Sequence, residues 1–203
     1  MTNIRIARPR IAILVGSLRK DSVNRKVAQA MCALAADRLD GTIVEIGNLA
    51  LFNPDFEADP PAEWVAFKAA IAAADGVLFV TPEYNRTIPG ALKNAIDVGS
   101  RPYGKSAWEK KPAAIVTASP GGIGGFGCNH QLRQACVFLD MPVMQQPEAY
   151  LGGVTDTSFG EDGSIADPAL AKVVKRVANA FADWVGLITS GRAALAGDPA
   201  HQD

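Results

Sequence analysis

The chain has 203 residues, enough for a domain of ordinary size with a substantial core. Hydrophobic residues make up 48% and charged residues 20%, a balance that excludes a disordered chain. Twenty Lys and Arg against 21 Asp and Glu leave a formal net charge of −1, and no basic run offers a nucleic-acid surface.

The first ten residues are basic, but the apolar run behind them is short and β-like. It lacks the long apolar core and cleavage site of a signal peptide. No other run approaches the roughly 20 apolar residues of a membrane span. Cys32, Cys128 and Cys136 form no CxxC pair and read as reduced, mostly buried thiols. A cytoplasmic protein with neither membrane nor nucleic-acid partner is expected.

Residues 11–16 (IAILVG) predict a first buried strand, followed by a helix with Val27, Met31 and Leu34 at helical spacing, ending near Asp40-Gly41. Residues 42–46 predict a half-buried second strand, and 49–61, with three prolines, an irregular connection. Residues 62–74 predict an alanine-rich helix and 76–80 (GVLFV) a third strand, buried on both faces. A polar loop from Thr81, bracketed by Pro82 and Pro89, leads into a helix with Leu92 and Ile96 on one face.

After a long loop at 101–111, residues 112–118 predict a fourth strand, with a glycine-rich loop and a helix carrying Leu132, Cys136 and Leu139 behind it. Residues 142–144 predict a short fifth strand. Leu170, Val174, Val177, Phe181, Trp184 and Ile188 stripe one long final helix. Residues 190–203 are small and polar and predict a disordered tail. Strands alternating with helices give an α/β fold with a doubly wound parallel sheet, in a single domain over residues 1–189.

Three loops carry the chemistry, all at carboxyl ends of strands, where open α/β sheets bind ligands. Gly16-Ser17-Leu18-Arg19-Lys20-Asp21-Ser22-Val23-Asn24 leads from a buried strand into a helix, whose free N–H groups and dipole form an anion site. Ser17, Ser22 and Asn24 add neutral donors, and Arg19 adds a fork suited to phosphate oxygens. Ser22 serves equally well as a plain helix cap. The loop lacks the GxxxxGK[ST] pattern of ATP-type P-loops.

The second loop, Pro82-Glu83-Tyr84-Asn85, can frame a flat hydrogen-bonding ring, with Asn94 and Asp97 on the next helix as fasteners. The third, Ser119-Pro120-Gly121-Gly122-Ile123-Gly124-Gly125, is stripped of side chains so that backbone can approach a flat ligand. Gly122, Gly124 and Gly127 formally match GxGxxG, with Glu148 21 residues on. That fingerprint belongs to the first βα turn, however, and this one follows the fourth strand. One phosphate loop and two ring loops on one sheet edge are the layout of FMN in a flavodoxin-like sheet of order 2-1-3-4-5.

The motifs Gly-Ser-x-Arg-x-x-Ser-x-Asn (16–24), Pro-Glu-Tyr-Asn (82–85), Pro-Gly-x-Leu-Lys-Asn-x-Ile-Asp (89–97) and Ser-Pro-Gly-Gly-x-Gly-Gly (119–125) resemble the NAD(P)H-dependent FMN reductase family. They are nearest its bacterial quinone and chromate reductase branch, and the similarity runs from Arg10 to about Trp184. The resemblance implies a flavodoxin-like three-layer α/β/α domain with FMN as cofactor and NADH or NADPH as electron donor. Ser17, Arg19, Ser22 and Asn24 would hold the phosphate. Pro82, Glu83, Tyr84 and Asn85 would flank the ring and ribityl chain, and Ser119, Gly121 and Gly122 would border the ring.

Arg101 and Tyr103 match a segment that would border the nicotinamide or substrate, and Arg101 would steer anionic acceptors such as chromate. Val98 stands where the family often has Trp, which alters the expected substrate wall. The resemblance also implies a homodimer or homotetramer, the typical family assemblies, with flavin sites near subunit contacts. Hydride transfer to the flavin and then to a quinone across one shared face implies ping-pong kinetics, with no obligatory acid or base from the protein.

A flavodoxin-type electron carrier is the main alternative, but such carriers are strongly acidic and this chain is nearly neutral. A response-regulator receiver needs an aspartate where Thr81 and Pro82 stand, and Ser119 lies in no GxSxG elbow. His130 is a lone helical histidine, read as structural, and two histidines in the chain argue against a metal site.

Overall fold

A computed structural model describes residues 8–197. Its centre is a five-stranded parallel sheet of β1 (Arg10–Val15), β2 (Asp40–Ile43), β3 (Gly76–Thr81), β4 (Ala113–Ser119) and β5 (Ala149–Gly152), in the order β2-β1-β3-β4-β5. The connecting helices are α1 (Val23–Leu34), α2 (Ala62–Ala73), α3 (Gly90–Gly99), α4 (Phe126–Phe138) and α5 (Pro168–Ala196). Among the described residues no helix is long and apolar enough to cross a membrane.

Strand periodicity sorts the core into two halves. Ile11, Ile13 and Val15 of β1, with Leu78 and Val80 of β3, pack against α1 and α5. Ala12, Leu14, Val77 and Phe79 face the other way, onto α2, α3 and α4. Every residue of β3 is buried, as its unbroken apolar run predicts. Trp108 plugs the second half of the core, and its indole N–H donates to the Ile96 carbonyl at 2.9 Å. The result is the expected three-layer flavodoxin-like sandwich. The chain crosses from β2 back past β1 to β3, so the switch point of the sheet lies between the carboxyl ends of β1 and β3.

Two expectations need correction. Residues 142–144 are not β5: Val143 makes only an isolated bridge to Ala113, and β5 pairs with the far half of β4, from Val116↔Ala149 to Ser119↔Gly152. Pro142 has no N–H to donate, and the Gln145-Gln146-Pro147 segment carries the chain away before the ladder resumes. The tail is also shorter than expected, because α5 continues through Ala196. Ser190, Gly191 and the Ala193-Ala194 pair are small, but they carry on a helix already anchored by Val174, Phe181 and Val185. Residues 198–203 lie outside the described residues.

Candidate functional site

The loops after β1, β3 and β4 meet at the switch point and enclose one cleft. Its walls are Ser17, Arg19, Ser22 and Asn24 from the first loop, Pro82, Glu83 and Tyr84 from the second, and Ser119 and Pro120 from the third. β1 and β3 come together closely here because residue 16 is glycine: a Cβ there would lie 2.0 Å from the Thr81 hydroxyl oxygen.

Ser22 is the N-cap of α1, its hydroxyl accepting the Arg25 N–H at 3.3 Å. That bond leaves the preceding amides of the first turn without intrahelical partners. No acidic residue occupies that turn to offset the helix dipole. Arg25 turns away to pair with Glu45 at 2.7 Å, so Arg19 is the cation at the cleft.

Asn24 is buried, at 4% exposure. Its Nδ2 donates to the Ala118 carbonyl at 3.2 Å, and its Oδ1 is buried without a partner. Because Ala118 offers only an acceptor, the amide must keep its nitrogen there and its oxygen turned away. Asn24 is therefore an acceptor in search of a donor. Asn24 is expected from its sequence to donate toward a phosphate; in the structure one amide N–H is spent on Ala118, and the atom left without a partner is the acceptor Oδ1, which suits a hydroxyl group.

The second loop closes on itself through paired bonds between Tyr84 and Thr87, N···O 3.1 and 3.0 Å. Asn85 and Arg86 both have positive φ, +50° and +65°, as a two-residue reverse turn requires. Asn85 is thus explained by the turn and does not line the cleft, whereas Tyr84 does and is half exposed. Glu83 has a structural task that the sequence reading did not foresee. Its carboxylate accepts the Cys128 N–H at 2.9 Å and pairs with Arg86 at 3.2 Å. Gly125 supplies no side-chain cap to α4, so Glu83 provides the anion at that helix start. Asn94 also fastens a different loop from the one expected, bonding Leu49, Ala50 and Phe52, while Asp97 pairs with Lys93.

In the third loop the Ser119 hydroxyl accepts the Gly121 N–H at 3.1 Å. Ligand approach does not account for most of its glycines. A Cβ on Gly124 would meet the Tyr150 backbone at 2.6 Å, one on Gly125 the Thr117 side chain at 2.8 Å, and one on Gly127 the Glu83 carboxylate at 2.9 Å. Only Gly122 faces open space in this loop, with Gly121 in ordinary contact with Ser119. His130 lies in an exposed cluster with Phe126 and Tyr150, its Nε2 3.1 Å from the tyrosine oxygen. Burial pushes the Tyr150 phenol up to about 12.

Arg101 and Tyr103 are not brought to the cleft. Arg101 borders a depression with Trp64 and Lys68, whose ammonium bonds the Arg101 carbonyl, and Tyr103 borders another beside Phe138. Cys128 sits behind the Glu83 loop, and burial pushes its thiol up to about 12, so it is no nucleophile. The sequence reading also missed Asp156, which pairs with Arg19 at 3.4 Å and Lys26 at 3.0 Å. It is 137 residues from Arg19, in a segment with no motif to mark it.

The cleft fits FMN part by part. A helix start with free amides beside Arg19 suits a phosphate, an orphan acceptor suits a polyol hydroxyl, and the Pro82, Tyr84 and Pro120 walls suit a flat ring. The family model for NADPH-dependent FMN reductases matches residues 9–156. This chain belongs to the NADPH-dependent FMN reductase family.

Within that family it is 58% identical over 181 residues to a quinone reductase of Pseudomonas putida, covering 87% of this chain and 95% of that protein. It is 43% identical over 176 residues to a 2-hydroxy-1,4-benzoquinone reductase of a Burkholderia species, covering 87% and 96%. Among solved structures, the flavoenzyme FerB of Paracoccus denitrificans, an NAD(P)H:(acceptor) oxidoreductase, superposes with a TM-score of 0.84 at 40% identity, over 88% of this chain and 97% of that one. As a member of this family the chain is an FMN-dependent oxidoreductase with NAD(P)H as its electron donor.

Proposed function

We propose that this chain is an NAD(P)H:quinone oxidoreductase whose FMN lies along the switch-point cleft. Its phosphate end would sit at α1 and its ring between Pro82–Tyr84 and Ser119–Gly122. The observation that carries the placement is the orphaned Oδ1 of Asn24, buried beside the uncovered start of α1. A buried acceptor without a donor costs about 1–3 kcal/mol, and a ribityl hydroxyl would remove that cost. The relatives named as quinone reductases support a quinone as acceptor.

When bound, FMN supplies the redox chemistry, taking a hydride from the nicotinamide and giving two electrons to the acceptor. The protein's part is to bind and orient. Arg19 and the first-turn amides of α1 would neutralise the phosphate. Asn24 would accept from the ribityl chain, and Pro82, Tyr84 and Pro120 would shield one side of the ring from water. A ring seated there would leave its other side to donor and acceptor in turn, and ping-pong kinetics would follow. Glu83 serves as neither acid nor base, since its carboxylate is committed to α4 and Arg86.

We place Arg101 and Tyr103 on the acceptor side only in an assembly, a homodimer or homotetramer in which a second subunit faces the open side of the cleft. The exposed apolar side chains of Leu51, Tyr103, Val137 and Phe138 support such contacts. The test is steady-state kinetics on FMN-loaded protein with NADH or NADPH and 1,4-benzoquinone. Parallel double-reciprocal lines are expected. Intersecting lines refute the shared face, and failure to take up FMN refutes the placement.

A further inference from the structure

We infer that Asp156 competes with the cofactor's phosphate for Arg19, and thereby sets how tightly a phosphorylated flavin is held. The inference rests on the flavin reading of the cleft. Asp156 lies on a short 3₁₀ turn, Asp156–Ser158, held by reciprocal bonds between Thr155 and Ser158. Its two carboxylate oxygens are divided between two cations: Oδ1 takes Lys26 at 3.0 Å and Oδ2 takes Arg19 at 3.4 Å. The third nearby cation, Arg25, is tied to Glu45. Arg19, Arg25 and Lys26, three of the cations around the start of α1, are therefore held by carboxylates of the chain itself.

The two contacts are unequal. Lys26 is the firmer partner, with the shorter bond and its ammonium also 5.7 Å above the Phe159 ring. Arg19 offers one nitrogen at long range and is well exposed, the pattern of a weak, breakable ion pair. A phosphate dianion presents more charge and matches the guanidinium fork, so it takes Arg19 from Asp156. The carboxylate stays behind, held by Lys26, and repels the dianion at short range. Asn24 supplies the independent sign that a ligand belongs here, through its buried, unpartnered oxygen. An uncharged ligand end would feel none of this repulsion. Asp156 thus lowers affinity for the phosphate end of FMN while leaving contacts to the ring and ribityl chain unchanged.

The experiment titrates full-length, flavin-stripped protein with FMN and with riboflavin, which lacks the phosphate, following flavin fluorescence. Wild type, Asp156→Asn and Asp156→Glu are compared. Asp156→Asn is expected to bind FMN on the order of fivefold more tightly, with riboflavin unchanged. The gain should shrink in about 1 M salt, where charges are screened within about 3 Å. Asp156→Glu keeps the charge and should stay near wild type. FMN affinity that is unchanged or weaker in Asp156→Asn overturns the inference, as does an equal shift for riboflavin, which would signal an altered fold. Wild type that binds neither flavin would instead defeat the flavin reading itself.

Discussion

The two ends of the sheet are built to different rules. At the amino end the charges are internally answered. The Asp75 carboxylate accepts the Arg10 backbone N–H at 2.8 Å and meets its guanidinium at 3.4 Å, while Lys111 donates to the carbonyls of Ala72 and Ala74 at 2.9 and 2.5 Å. At the carboxyl end Asn24 keeps a buried oxygen without a partner, and α1 begins with uncovered amides. The backbone around that opening is nevertheless held tightly, with Glu83 spanning to α4 and glycines seated against β4 and β5. The contrast separates an opening that holds unpaired polar groups in a rigid frame from a region that is merely loose.

The largest expected effect tests that separation. Gly124→Ala would force a Cβ into the Tyr150 backbone at a residue with φ of +65°. It should cost about 3 kcal/mol, read as a fall in Tm of roughly 6–12 °C. Gly122→Ala points into open space and should change stability by less than about 0.5 kcal/mol. Equal, small losses from both would mean that the glycine loop is loose after all, and the contrast would fail.

A smaller effect is expected at the opening itself. Asn24→Ala removes the orphan acceptor and should weaken FMN and riboflavin alike by about tenfold, the value of one buried hydrogen bond. Arg19 differs, since it reaches only the phosphate end. A variant that loses FMN and keeps riboflavin at wild-type affinity would move Asn24 from the ribityl chain to the phosphate.

These residues also show how far the sequence can be read. The parallel α/β architecture and the meeting of three loops beyond strand ends were legible from apolar periodicity and the alternation of strands with helices, while the order 2-1-3-4-5 came with the likeness to a flavodoxin-like FMN site. β5 was not. Its pairing depends on where the chain re-enters after Pro147, and the local signal at 149–152 is only four residues long. Glu83 and Asp156 were misread or missed for a related reason: each acts on a partner far along the chain, Cys128 for one and Arg19 for the other. Asn24 stood out as polar at a helix start, but only the Ala118 carbonyl tells which of its atoms is free. Residue type was enough to locate the cleft, whereas donor and acceptor roles needed the neighbours.

The smallest effect belongs to the amino end and completes the comparison. Burial alone would push the Asp75 carboxyl up, but the backbone and side-chain bonds from Arg10 and the nearby charges of Arg10 and Lys111 outweigh it, so its pKa is lowered. A carboxylate held below its unfolded value of about 3.9 contributes stability at higher pH and loses it as pH falls through the folded-state pKa. Wild-type stability should therefore decline through the acid range below about pH 4. Asp75→Asn, which cannot titrate, should show a flatter profile there and be modestly less stable at neutral pH, by under about 1 kcal/mol because the pair is partly exposed. Urea unfolding across the acid-to-neutral range measures both. Flavin affinity should be unchanged, since Asp75 lies at the far end of β3 from the cleft. A substitution at Asp75 that altered flavin binding would show that the two ends are coupled through the sheet, and the division drawn between them would not hold.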